Sequence, residues 1–170
     1  DCPVPLLLVK EAGRLVGSRI LVCVDPMHTH DKPAALDNQL LARGAALAHR
    51  LQGELHALHV FSVPAPVGVI GDAYIAAAAL PPAEESLASA RGAFAALAAT
   101  HGLPADRAHF TVGLPARDIV TQVRELDAGL VVMGAISRRR LERWFVGSTA
   151  ESVLDRLPCN VWVEKRAADA

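Results

Sequence analysis

Several features that would assign the chain to particular protein classes are scarce or missing from its 170 residues. Aromatic residues make up only 4%, although apolar residues reach 52% and alanine is the commonest of them, a composition that favours helices packed closely on a sheet. No run of 18 apolar residues occurs, so there is no candidate membrane-spanning helix. The net charge of −1 gives no general reason to expect a nucleic acid or a membrane surface as a partner.

The cysteine spacing and the search for catalytic motifs give no indication of an enzyme. Cys2, Cys23 and Cys159 have neither metal-ligand spacing nor a Cys-x-x-Cys pair. Cys23 and Cys159 lie in apolar, strand-like runs, which predicts buried thiols in a reducing cytoplasm. The Walker A, Gly-x-Gly-x-x-Gly and Gly-x-Ser-x-Gly motifs are absent. We therefore expect no catalytic residues and, at most, a slow ATPase.

The histidines do not predict a metal site. His28 and His30, with Asp31, lie in a Pro-flanked loop without a convincing third ligand nearby. His56 and His59 are separated by an odd number of residues on a predicted strand, so they face opposite sides of it and cannot chelate together.

Apolar runs alternate with helical patterns along the chain. The predicted strands are 19–25, 54–61, 109–112, 130–133 and 161–163, and the predicted helices are 33–51, 83–101, 116–126 and 148–157. This alternation predicts an α/β fold with a mainly parallel sheet. Ligands of such sheets bind beyond the carboxyl ends of the strands, where the strand order reverses. The segment 63–82, rich in Pro, Gly and Ala, is expected to be a long loop over one end of the sheet or a partner contact.

Residues 130–151 combine a strand end with a helix start. The buried strand breaks at Gly134, and a helix begins again at Gly147 and Ser148 after an arginine-rich loop. Ser148 and Glu151 fit the capping box, as N-cap and third helical residue. Backbone N–H groups at such a helix start are suited to a phosphate. The alternative is that Gly134 only ends a strand and that Gly147 and Ser148 only cap a helix.

The spacing of these residues resembles the nucleotide-binding signature of the universal stress protein family. Gly134 is followed by two residues, Ser137, nine residues and then Gly147-Ser148, and the family has Gly at the position of Ser137. The resemblance extends over about 18–165 and includes Val-Asp at the end of the first strand, Leu-His-Val, and Cys-x-Val-x-Val. It implies an open five-stranded parallel sheet of order 3-2-1-4-5 with helices on both faces (Rossmann-like, adenine nucleotide alpha hydrolase-like), plus an extra N-terminal strand.

The resemblance also implies a ligand site between the first and fourth of these strands. Asp25 and Pro26 would lie beside the nucleotide, opposite Gly134, and Leu55 would touch the adenine. The residues expected to hold phosphates are Gly134, Ser137, Arg138, Gly147, Ser148 and Thr149. ATP, with Mg²⁺ as its accompanying ion, is the first candidate ligand. Alternatives remain for three of these roles: Asp25 as a turn residue, Leu55 as core, and the arginines around Arg138 as a solvated surface.

The N-terminal segment suggests a longer, duplicated protein. Residues 1–10 loosely match the final strand of the domain, since both have Cys, then apolar residues, then Lys. The resemblance implies that 1–10 is the tail strand of a preceding copy, 11–18 a linker, and 19–166 the universal stress protein domain, as in the second half of an E-type tandem protein. An ordinary edge strand is the alternative for 1–10.

Three functions follow as expectations. The first is a stress-response domain that binds an adenine nucleotide. The second is a structural or signalling module with a vestigial site, which forms a homodimer or pairs with a second domain copy. The third is a binder of a nucleotide-linked or lipid-like ligand, with the loop 63–80 lining its pocket.

Overall fold

A computed structural model describes residues 5–10, 15–27, 34–62, 69–70, 73–74, 84–134 and 154–164 of the chain. The main sheet contains β1 (Leu6–Leu8), β2 (Arg19–Cys23), β3 (Glu54–Phe61), β6 (Ala108–Val112), β7 (Ala128–Gly134) and β8 (Asn160–Glu164). The helices are α1 (Ala34–Leu51), α2 (Glu84–Thr100) and α3 (Pro115–Glu125). Two short strands, β4 (Val69–Ile70) and β5 (Ala73–Tyr74), form a separate antiparallel pair.

The strand order of the main sheet is β1-β8-β7-β2-β3-β6. The five strands from β8 to β6 are parallel, and β1 joins the outer side of β8 in the antiparallel direction. The predicted α/β class, the order 3-2-1-4-5 and the extra N-terminal strand are therefore confirmed. Over the described ranges the sheet has six strands, one of them antiparallel.

Helices cover the sheet on both faces, which explains why the central strands are apolar without alternation. On one face, Val22 and Val132 pack against α1 and α2, in a core that includes Leu40 and Phe94. On the other face, Leu21 and Val131 belong to a core built with α3. The change of face between α1 and α3 accompanies the reversal of strand order between β2 and β7.

Most predicted elements begin and end within two residues of their observed bounds. Pro115 lies in the first turn of α3, as predicted, because the missing N–H of Pro costs nothing there. The β4–β5 pair lies in the segment predicted as a plain loop and was not predicted. Residues 148–153 of the last predicted helix lie outside the described residues, while Leu154 is helical. No helix in the described ranges is both long and apolar enough to cross a membrane.

The N-terminal strand is fastened to the sheet by polar contacts. Leu7 of β1 lies opposite Trp162 of β8. The Lys10 backbone N–H donates to Asn160 Oδ1 at 2.8 Å, and Asn160 is fully buried. The Lys10 ammonium group donates to the carbonyl oxygens of Leu154 and Leu157. As a result, β8 has a strand partner on each side and is not an open edge.

Candidate functional site

The carboxyl edge between β2 and β7 has the geometry predicted for a ligand site. Val22 of β2 lies opposite Val132 of β7 in a parallel pair. Asp25 and Gly134 follow these two residues by three and two positions, so they leave neighbouring strands at the same edge of the sheet. This is also where the strand order reverses, which is the usual ligand position in open α/β sheets.

Gly134 ends β7 under the start of α1. A Cβ atom at this position would lie 3.0 Å from Leu36 Cδ2 and 3.5 Å from Leu40 Cδ1. Glycine therefore lets α1 pack closely over the strand end. The residue thus has a packing role here in addition to its predicted place in the site.

Asp25 and Pro26 lie half-buried in the turn that follows β2. The Asp25 backbone N–H donates to Asp37 Oδ1 at 3.1 Å. Asp37 belongs to the first turn of α1 and is 1% exposed. The position of Asp25 is therefore tied to α1 through a buried carboxylate, a contact that the sequence did not predict.

Leu55 lies at the wrong end of its strand to touch a ligand at the carboxyl edge. It is the second residue of β3 and pairs with Ile20, five residues before Asp25. At about 3.3 Å per residue, five residues separate it from that edge by about 16 Å. Leu55 packs against the core under α1 instead. The prediction that it touches adenine is wrong, and the alternative that it is a core residue is correct.

The remaining predicted site residues fall outside the described ranges. They are Ser137, Arg138, Gly147, Ser148 and Thr149. The capping-box residue Glu151 also lies outside these ranges, as do His28, His30 and Asp31, which were considered as metal ligands. The described part of the candidate site therefore consists of Asp25, Pro26 and Gly134. Within the described ranges, no group of three or more His, Cys, Asp or Glu residues is arranged to hold a metal ion.

A buried carboxylate lies next to Gly134 on the same sheet edge. Glu164 of β8 pairs with Gly134 and is 2% exposed. Its carboxylate accepts hydrogen bonds from Gln39 Nε2 at 2.9 Å, Arg43 Nε at 3.0 Å and Trp162 Nε1 at 2.7 Å. The Arg43 guanidinium also lies 5.4 Å from the centre of the Trp162 ring. This cluster joins α1 to β8. Its only signal in the sequence is an acid at an inward position of an apolar strand.

The two histidines of β3 face opposite sides of the sheet, as predicted. His56 Nδ1 lies 3.0 Å from His109 Nε2, and the two rings are nearly parallel. Burial lowers the pKa of His56 from its usual value, and the neighbouring His109 adds to this effect. Burial likewise lowers the pKa of His109, against the opposing influence of Asp106. A hydrogen bond between the two rings requires one of the two facing nitrogens to be unprotonated, which the lowered pKa values favour.

His59 points to the opposite face and reaches the end of β2. Its Nδ1 lies 3.1 Å from the carbonyl oxygen of Val24. A carbonyl oxygen can only accept, so Nδ1 carries the proton of this hydrogen bond. The ring packs between Phe94 and Phe110. The sequence places His59 in the Leu-His-Val match to the family and excludes joint chelation with His56, but it does not predict this contact.

A polar cavity of about 580 Å³ opens at the amino edge of the sheet, opposite the candidate site. Arg19 and Glu54 line it, with Nε and Oε2 3.4 Å apart. Gln52 and Asp127 also line it and have positive φ angles of 52° and 47°. Each follows the end of a helix, where a left-handed residue is a common cap. These φ angles are therefore explained by helix termination. The cavity lies at the amino ends of the strands, whereas ligands of such sheets bind beyond the carboxyl ends.

Comparisons with known proteins agree with this fold and identify the protein family. Residues 18–165 match the model of the universal stress protein family. The chain is 30% identical over 171 residues to Universal stress protein E of Escherichia coli K12, covering 96% of this chain and 52% of that protein. It is 29% identical over 167 residues to the Universal stress protein E homolog of Haemophilus influenzae, covering 94% of this chain and 52% of the homolog. The chain thus spans about half the length of these relatives.

Solved structures show the same architecture. A protein of unknown function from Pseudomonas aeruginosa PAO1 superposes with a TM-score of 0.77 at 25% identity, covering 97% of this chain and 53% of the other. A universal stress protein from Archaeoglobus fulgidus DSM 4304 gives 0.61 at 25% identity, covering all of this chain and 52% of the other. A universal stress protein solved in complex with cAMP gives 0.56 at 16% identity, over 88% of this chain and 98% of the other, which shows the fold. By sequence and by fold, the chain belongs to the universal stress protein family.

Proposed function

We propose that this domain is a non-catalytic regulatory module that binds an adenine nucleotide, ATP first, at the carboxyl edge between β2 and β7. The observation that carries the proposal is the adjacency of Asp25 and Gly134 at the reversal of strand order. A family member of the same fold has been solved with cAMP, which supports an adenine nucleotide as the class of ligand.

The two strand ends would contact different parts of the nucleotide. A carboxylate accepts hydrogen bonds and repels phosphate, so Asp25 is assigned to the sugar or base. The backbone beyond Gly134 is assigned to the phosphates, together with Ser137, Arg138, Gly147, Ser148 and Thr149. Mg²⁺ would accompany the phosphates, since it commonly binds through them rather than through a dedicated protein cage.

Isothermal titration calorimetry with ATP, with and without Mg²⁺, tests this proposal. Asp25→Asn is expected to weaken binding about tenfold, because a hydrogen bond to a charged acceptor is replaced by one to a neutral acceptor. Asp127→Asn is the matched control, since it makes the same change at the amino edge of the sheet. The absence of heat at millimolar nucleotide, or equal weakening by both variants, would contradict the proposal.

A second candidate function is a structural module that pairs with another domain copy through its β8 edge. The pairing of β1 with β8 favours this candidate, because it shows that the edge accepts an antiparallel strand. In this arrangement the chain is the second half of a tandem protein, and residues 1–10 come from the first half. Light scattering of the parent and of Lys10→Met tests it. A monomer that dimerises when Lys10→Met loosens β1 supports strand pairing, and a monomer in both cases contradicts it.

A further inference from the structure

The peptide unit between Val24 and Asp25 is held at both of its polar ends. Its carbonyl group accepts the hydrogen bond from His59 Nδ1 at 3.1 Å, and its N–H group donates to Asp37 Oδ1 at 3.1 Å. The preceding N–H, of Val24, donates to the carbonyl oxygen of Leu58 at 3.0 Å and so continues the pairing of β2 with β3 one residue beyond Cys23. Beyond that bond, the two side chains continue the restraint that the sheet provides.

The two side chains reach this peptide from different directions. His59 comes from β3, the neighbouring strand, and Asp37 comes from the first turn of α1 above the sheet. His59 is 3% exposed and Asp37 is 1% exposed. Burying a histidine or a carboxylate is costly unless its hydrogen bonds are made, so these two residues give up hydration in exchange for specific contacts. Apolar residues would fill both positions at lower cost if packing were their only role.

Both residues are almost fully buried, and the His59 ring lies among aromatic side chains, which makes the contacts more specific. The His59 ring centre lies 6.0 Å from that of Phe94 and 5.5 Å from that of Phe110. In an environment with little water, a hydrogen bond is electrostatically stronger and its direction is better defined. The plane of the peptide unit is therefore restrained from two sides.

We infer that Asp37 and His59 are positioning residues that orient the Val24–Asp25 peptide and thereby direct the Asp25 carboxylate into the candidate site. The inference rests on the proposed function, because it concerns the same site. Neither residue needs to touch the ligand. Rotation of this peptide would turn the Cα–Cβ direction of Asp25, and a shift of about 1 Å in a binding group is enough to weaken a site that depends on preorganisation.

The first test needs no ligand and measures hydrogen exchange of the Asp25 amide by NMR. Asp37→Leu removes the acceptor from this buried position, and the Asp25 amide is expected to exchange at least about tenfold faster. Asp37→Asn keeps a neutral acceptor and is expected to give an intermediate rate, which also serves if the leucine variant is poorly folded. An unchanged Asp25 amide in both variants overturns the inference.

The second test measures the affinity for ATP by calorimetry. Asp37→Leu and His59→Phe are each expected to raise the Kd about tenfold, whereas Asp37→Asn is expected to retain most of the parent's affinity. His56→Phe is the matched control, since it makes the same change on the same strand but faces the other side of the sheet. A positioning role requires that His56→Phe leave the Kd unchanged even if it lowers the melting temperature.

The two tests separate the failure of this inference from the failure of the proposed function. If the parent binds ATP and the variants bind it equally well while their Asp25 amides exchange faster, positioning is refuted and the proposed function stands. If the parent binds no ATP, the proposed function is refuted, and the role of these residues in binding falls with it. The amide rates then still decide whether the two side chains hold the peptide.

Discussion

Removing Arg43 should destabilise the domain more than removing the carboxylate it contacts. Arg43→Met would leave Glu164 buried and charged, with hydrogen bonds from only Gln39 and Trp162. Glu164→Met would leave no buried charge, because the Arg43 side chain is 41% exposed and can be hydrated, whereas that of Glu164 is 2% exposed. The asymmetry in solvent access therefore predicts an asymmetry in the free energy of unfolding.

The expected magnitudes lie between those of surface and buried ion pairs. Exposed pairs contribute at most about 1 kcal/mol, whereas removal of one partner of a fully buried pair costs about 3–5 kcal/mol. Because only the carboxylate is buried, we expect Arg43→Met to cost about 2–3 kcal/mol. Glu164→Met should cost about 1–2 kcal/mol through lost hydrogen bonds. The double variant should cost about as much as Glu164→Met alone, since it strands no charge.

Urea unfolding of the parent, the two single variants and the double variant at pH 7 measures these differences. Arg107→Met is the matched control, because Arg107 and Glu54 are 3.2 Å apart with side chains 36% and 47% exposed, and it should cost at most about 1 kcal/mol. The reasoning fails if the double variant is less stable than Arg43→Met. It also fails if Arg107→Met costs as much as Arg43→Met.

Three further predictions concern other parts of the molecule. Burial lowers the pKa of both His56 and His109 below 6.5, so the unfolded chain binds more protons than the folded one. The stability that the two neutral rings provide should be fully present above pH 6.5 and should fall as the pH drops toward the folded-state pKa values. The double variant His56→Phe, His109→Phe should flatten this dependence in urea titrations between about pH 5 and 8. Lys10→Met removes the ammonium hydrogen bonds to Leu154 and Leu157, so it should cost about 1–2 kcal/mol and speed hydrogen exchange in β1; unchanged exchange there would show that the backbone bonds of the strand hold it without the ammonium group. Gly134→Val should cost about 1–3 kcal/mol by crowding Leu36, with Gly134→Ala costing less, and equal melting temperatures for both and the parent would contradict the packing role.

The arrangement of strands and helices could be predicted because it depends on long, repeated patterns. The continuous apolar run at 130–133 requires burial on both faces, and only a sheet between two helical layers provides this. The positions of Asp25 and Gly134 followed from the same logic, because the ends of parallel strands meet at one edge. The strand order itself came from the family resemblance.

Individual side chains were harder to predict because their roles depend on packing across the chain. Glu164 and Glu84 are the same residue type, yet one is buried under α1 and the other is exposed. Asp37 occupies an inward position of α1, and no local pattern reveals that it reaches the backbone of another segment. Leu55 was misplaced because its distance along the chain from the Leu-His-Val motif says nothing about strand register, which places it at the amino end of β3.

The three-residue length of β1 limits how this sheet can grow. Among the residues that the structure describes, an incoming strand would find only Leu6–Leu8 as a hydrogen-bonding template beyond β8, and this is too short for a firm ladder. Strand-by-strand polymerisation is disfavoured at that side, even though Leu6 and Leu7 are exposed there. The short β1 strand therefore disfavours fibre-like growth through this side of the sheet.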